Sequence, residues 1–179
     1  MIGAPGSGKG TQGALLAEFL GLPCIGLGDL MRAEAQAGTP RGRELQAHMD
    51  AGRLAPDDLA SEIVEIALTS STDGFVLDGY PRTVAQAVRL DDFLATRAAD
   101  LDLVVVFRVA EDALISRLAS RGREDDQPEV IRQRLAIYWE SANELIAYYG
   151  GRIVELAADG AVDDVHGRLL EGLREAIAS

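Results

Sequence analysis

Eight residues near the start of the chain constrain it more than any others: Gly3-Ala-Pro-Gly-Ser-Gly-Lys9-Gly10. They fit the pattern G-x-x-x-x-G-K. Its glycines let backbone N–H groups converge on phosphate oxygens, the helix that follows offers its positive end, and the lysine reaches the outer phosphates. The chain has sixteen arginines and a single lysine, and that lysine is Lys9. It stands where a compact ammonium is wanted and a planar guanidinium fork fits badly. The Ser/Thr that usually follows the lysine is replaced by Gly10, with Thr11 one step later. A magnesium ion beside such a loop is therefore expected to be held through its water shell rather than by a hydroxyl.

A loop of this kind belongs between a strand and a helix, and the rest of the chain alternates accordingly. Strands are predicted at Pro23 to Ile25, Gly74 to Asp78, Leu103 to Arg108 and Arg152 to Leu156. Leu103-Val-Val-Val-Phe107 is apolar and β-branched, as a strand buried on both faces should be. Helices are predicted from Lys9 to Leu20, Asp29 to Ala37, Pro40 towards Ala51, Pro56 to Thr69, Thr83 to Ala95, Glu111 to Ser120, Pro128 to Tyr149 and Val162 to Ile177. Gly21 and Gly38 read as stops, and Thr39-Pro40 as an N-cap with proline at the first helical position. The pattern is α/β, a parallel sheet covered by helices. The helix-only stretch from Asp29 to Thr69 is longer than a crossover needs and reads as a small insertion beside the sheet. Only Met1 and Ile2 precede the loop, so the first strand is either a stub or begins before this sequence does.

Composition excludes several classes. At 179 residues and 47% hydrophobic the chain suits one globular domain. A formal net charge of -12 repels nucleic-acid backbones and anionic lipid, so neither is an expected partner. One cysteine, Cys24, allows no internal disulfide and no cysteine-clustered zinc site, and two histidines allow no histidine-rich one. No apolar run is long enough to span a bilayer, and Met1-Ile2-Gly3 does not open a secretion signal, so a cytoplasmic chain is expected.

Two further groups carry chemistry. Asp78-Gly-Tyr-Pro-Arg82-Thr83 follows a strand directly, where ligands bind in open α/β sheets. Asp78 would meet the metal's waters and Arg82 a phosphate. Arg117, Arg121, Arg123 and Arg134 gather positive charge in an acidic chain, as a polyphosphate site requires. Arg117 and Arg121 share a helix face by their i, i+4 spacing, whereas at most one of Arg132 and Arg134 can face the same site. A small GTPase is rejected, because its Asn-Lys-x-Asp base-reading element needs a second lysine.

With Gly28-Asp-Leu-Met-Arg32, Gln86-Ala87 and Arg121-Gly-Arg-Glu-Asp-Asp126 added, these motifs resemble the adenylate kinase family over essentially the whole chain. The resemblance implies a P-loop NTPase-type fold with a central parallel sheet of five strands, an AMP-binding helical insertion at residues 26–55, and a lid cut down to residues 121–126. It implies a monomeric enzyme performing ATP + AMP ⇌ 2 ADP with Mg2+. By position, Gly6, Ser7, Gly8, Lys9, Gly10, Thr11, Arg121 and Gly160 would bind ATP. Leu27, Arg32, Arg53, Leu54, Ala55, Gly79, Tyr80, Pro81, Arg82, Gln86, Arg123 and Arg134 would bind AMP. Lys9, Arg82, Arg117, Arg123 and Arg134 would act on the transferring phosphoryl group, with Asp78 on the metal through water. Gly26-Leu27 departs from the family's Ser-Thr, whose threonine helps to hold AMP, while the Gln86 amide matches the hydrogen-bonding edge of adenine. A kinase for UMP or CMP, or a non-catalytic nucleotide-binding relative, stays open at this point.

Overall fold

Five short parallel strands alternate with helices in the computed structural model, which describes residues 1–122 and 127–178, with the backbone alone at Arg121. The strands are β1 (Ile2–Gly3), β2 (Cys24–Gly26), β3 (Val76–Asp78), β4 (Val104–Arg108) and β5 (Ile153–Ala157). The helices are α1 (Lys9–Leu20), α2 (Leu27–Gln36), α3 (Pro40–Asp50), α4 (Asp57–Leu68), α5 (Val84–Ala95), α6 (Glu111–Arg121), α7 (Pro128–Tyr149) and α8 (Val162–Ala178). Four of the five β4 residues are buried, as its unbroken apolar run requires.

The strands do not join in the single five-stranded sheet that was expected. Among the described residues they form a three-stranded sheet in the order β1-β4-β5 and a two-stranded sheet of β2 and β3. The reason is the length of β1. Its two residues pair with Val106 and Phe107 of β4, and towards β3 the Met1 amino group donates to the Leu77 carbonyl at 2.7 Å. Met1 and Ile2, with the starts of β3 and β4, line an apolar slot of about 1040 Å³.

Local signals set the helix ends. Thr39 Oγ1 accepts from the Gly42 N–H at 2.9 Å with Pro40 in the first turn of α3. Helix α2 starts at Leu27, two residues before the expected Asp29. Gly26 is still extended at the end of β2, and Asp29 lies in the first turn, where a carboxylate suits the helix dipole. Leu27 thereby becomes a core residue. It packs with Met31, Leu45, Val64, Leu77 and Leu90 in one apolar cluster, so the helical insertion shares its core with β2, β3 and α5. Leu16, Val105, Phe107 and Leu169 bury one face of the sheet under α1 and α8. Val104, Val106, Leu145 and Tyr149 bury the other under α7. Among the described residues no helix is long and apolar enough to cross a membrane.

Candidate functional site

The phosphate loop leaves β1 and turns into α1 at Gly8, whose φ of 88° lies in the left-handed region that a side chain would disfavour. No side chain caps α1, so its first N–H groups remain available to an anion. Ser7 is buried, and its hydroxyl has no hydrogen-bond partner. Lys9 Nζ reaches to 3.4 Å from the Ala4 carbonyl oxygen. A Cβ on Gly79 would stand 3.6 Å from Lys9 Cε, so the lysine lies across the loop towards the end of β3.

Asp78 ends β3 directly beside it. Its Oδ1 is buried and has no partner, and its Oδ2 would be 2.9 Å from a Cβ built on Gly10. The missing hydroxyl after Lys9 is thus the space the Asp78 carboxylate occupies. Among the described residues no three His, Cys, Asp or Glu side chains gather closely enough to hold a metal by themselves. One unsatisfied carboxylate beside a phosphate loop suits a hard cation that arrives with phosphate and keeps most of its waters. The residues present fit that group.

The loop after β3 is fixed from beneath. Tyr80 Oη donates to Ser61 Oγ at 2.9 Å, and both residues are buried. Gln86 Oε1 accepts the Arg82 N–H at 2.7 Å while its Nε2 donates to Asp57 Oδ1 at 2.8 Å. The Arg82 side chain folds back to donate from Nε to the Gly79 carbonyl at 2.8 Å. Burial, with Arg134 and Arg32 nearby, pulls the Arg82 guanidinium down to about 10 against the pull of Asp78. It stays charged at neutral pH in surroundings that lack enough negative charge, as an anion site does before its anion arrives.

These parts share one cleft of about 670 Å³ at the carboxyl ends of the strands. Among the described residues, Lys9, Arg32, Arg53, Arg82, Arg117 and Arg134 line it against two carboxylates, Asp29 and Asp78. Gly6, Ser7, Gly8, Gly10, Thr11, Leu54, Gly79, Pro81 and Gly160 line it too. Arg134 faces the cleft, whereas Arg132 lies on the surface with Glu129 at 3.6 Å. Leu27, Ala55, Tyr80 and Gln86 are not brought to its wall. All four are buried, and the amide of Gln86 is engaged on both sides. Arg123, Asp125 and Asp126 lie outside the described residues, as does the side chain of Arg121. The sequence reading missed an apolar wall from α7, Ile137, Tyr138, Ala142 and Leu145. It also missed the supports Ser61 and Asp57, which carry no motif of their own.

Comparison with known proteins agrees with this geometry. The family model described as adenylate kinase matches residues 1–154. The chain is 45% identical over 175 residues to a protein of Corynebacterium aurimucosum named adenylate kinase, covering 97% of each. It is 46% identical over 175 residues to proteins of the same name from Nocardia farcinica and Mycolicibacterium smegmatis, again covering 97% of each.

Proposed function

The chain belongs to the adenylate kinase family, and from that premise we propose that this cleft performs ATP + AMP ⇌ 2 ADP with Mg2+ as the metal. The observation that carries the reading is the positive charge gathered on the wall of the cleft beside the phosphate loop. Lys9, Arg32, Arg53, Arg82, Arg117 and Arg134 all line the cleft with that loop, and Lys9 and Arg82 both come up to Gly79. Such a wall suits a triphosphate and a monophosphate held side by side.

Phosphoryl transfer asks little covalent work of the protein, so positioning and charge dominate. The N–H groups of Gly6 to Thr11 orient the ATP phosphates, and Lys9 neutralises the outer ones. Arg32 and Arg82 hold the AMP phosphate, with Arg53 and Leu54 beside it. Arg117 and Arg134 stabilise charge on the group in flight. No general base is needed, because a phosphate oxygen of AMP attacks phosphorus directly. When bound, Mg2+ neutralises charge between the ATP phosphates, and Asp78 holds its water shell. As the resemblance implies, Arg121 would contact ATP and Arg123 the transferring group. We place the enzyme in the cytoplasm, acting as a monomer.

A panel of nucleoside monophosphates tested with ATP checks the reading. AMP should be the best acceptor by a wide margin. UMP or CMP turned over faster than AMP would overturn the base assignment. Nucleotide binding without turnover would make the chain a non-catalytic relative.

A further inference from the structure

Gln12 follows the phosphate loop directly, in the first turn of α1, yet the mechanism above gives it nothing to do. Its side chain is buried at 2% exposure, and a buried carboxamide is costly unless both its ends are bonded. Both are. Nε2 donates to the Val162 carbonyl at 2.8 Å, and Oε1 lies 3.0 Å from His166 Nδ1. A carbonyl oxygen can only accept, so this orientation is fixed, and His166 must carry its proton on Nδ1. Both partners belong to α8, some 150 residues away in sequence.

The segment so held is the cleft wall between β5 and α8, where Ala158, Gly160 and Val162 line the cavity. Side-chain donors occupy its carbonyls in turn. Arg168 Nε donates to Ala157 at 3.1 Å and its Nη2 to Asp159 at 2.6 Å, while Arg117 Nη2 donates to Ala158 at 3.1 Å. Arg168 lies on α8 itself and Arg117 on α6, whereas Gln12 lies on α1, one residue past the phosphate loop. We propose that Gln12 is a positioning residue that latches the Gly160 wall to the phosphate loop, fixing the spacing between the two surfaces that ATP must touch at once.

The proposal rests on the ATP site assigned above. A ligand long enough to reach from the phosphate loop to the Gly160 wall gains from that preset spacing, since less ordering remains to be done on binding. A ligand confined to the phosphate loop gains nothing. AMP gains nothing either, because Arg32 and Arg82 are carried by α2 and the loop after β3. The latch therefore acts on ATP binding rather than on the transfer step, which separates it from a general loss of structure.

The test is steady-state kinetics of Gln12→Ala and Gln12→Glu, with inorganic tripolyphosphate as a competitor of ATP and thermal melting as the control for folding. Gln12→Glu is nearly isosteric but cannot donate to Val162, so it remains informative if the alanine variant folds poorly. The KM for ATP should rise about tenfold, the scale of one or two lost hydrogen bonds. The kcat should stay within about twofold, the signature of lost uniform binding. The KM for AMP and the inhibition constant of tripolyphosphate should not move. His166→Ala, which leaves the Val162 bond in place, should give a smaller rise. An unchanged KM for ATP overturns the proposal, as does a fall in kcat with KM constant. ATP and tripolyphosphate weakening equally also overturns it, since Gln12 would then serve the phosphate loop alone. Tripolyphosphate failing to compete with ATP in the unaltered protein would remove the ATP-site reading itself, a distinct result.

Discussion

Gly10 stands where phosphate loops of this pattern usually carry a hydroxyl, and its neighbour explains why a side chain is absent. A Cβ at that position would meet Asp78 Oδ2 at 2.9 Å. Gly10→Ser should displace the carboxylate and raise the magnesium concentration needed for half-maximal rate by about tenfold or more. Initial rates across a magnesium series at fixed ATP would show it, and an unmoved midpoint would take Asp78 away from the metal. Lys9→Met should lower kcat/KM by about 10²-fold or more, the scale of losing one preorganised transition-state contact. Its denaturant midpoint should hardly change. Leu27 behaves differently because it faces the core at 2% exposure. Leu27→Thr would place a hydroxyl among apolar side chains and cost about 1–3 kcal/mol of stability. Urea unfolding would measure that loss, and AMP kinetics should stay as they are.

At the scale of elements, the loop carrying Arg82 is held by a network spread over α4, α5 and the loop itself. Gln86→Leu removes the acceptor of the Arg82 N–H and the donor to Asp57 together. It should raise the KM for AMP, with about 1–3 kcal/mol lost from stability for the buried groups left unpaired. Tyr80→Phe removes the hydroxyl that Ser61 Oγ and the Gln86 carbonyl share. It should cost about 1 kcal/mol and leave AMP kinetics unchanged, and an altered KM for AMP in that variant would mean the hydroxyl acts on the ligand. The network also marks where sequence stops being legible. Leu103-Val-Val-Val-Phe107 could be read as a buried strand because burial on both faces writes itself into composition, and Gly21, Thr39 and Pro40 mark helix ends through their own backbone chemistry. That the phosphate loop and Asp78 would share one cleft was legible for the same reason, since their placement after β1 and β3 is set locally. Gln86 and Leu27 were not: where a side chain points depends on partners such as Asp57, 29 residues away. The split of the sheet was hidden too, because a two-residue strand leaves almost no pattern to read.

At the scale of the whole molecule, a chain of net charge -12 has drawn six of its seventeen cations into one cleft. That arrangement has a cost in the empty protein. Arg82 is partly buried, and its guanidinium is pulled down to about 10 by burial and by Arg134 and Arg32, so its charge is held against its surroundings. A polyanion removes the mismatch by supplying the missing negative charge, and it does so only in the folded state. Binding of that kind raises stability by mass action, by about 2.7 kcal/mol at one hundred times the dissociation constant. For a domain of this size that corresponds to about 5–10 °C in melting temperature. Inorganic pyrophosphate should give a rise of this order, while sodium chloride at equal ionic strength should not, because screening acts on exposed charge and cannot occupy a cleft. Arg82→Gln provides the decisive comparison. Without pyrophosphate it should melt at the same temperature as the unaltered chain or higher, since a poorly compensated charge has been removed. With pyrophosphate its gain should be much smaller. Thermal melts of both proteins across a pyrophosphate series would show two curves that meet or cross. If Arg82→Gln instead melted well below the unaltered chain without ligand, and gained as much from pyrophosphate, the bond from Arg82 Nε to the Gly79 carbonyl would outweigh the charge, and Arg82 would be a brace of its own loop rather than part of the anion site.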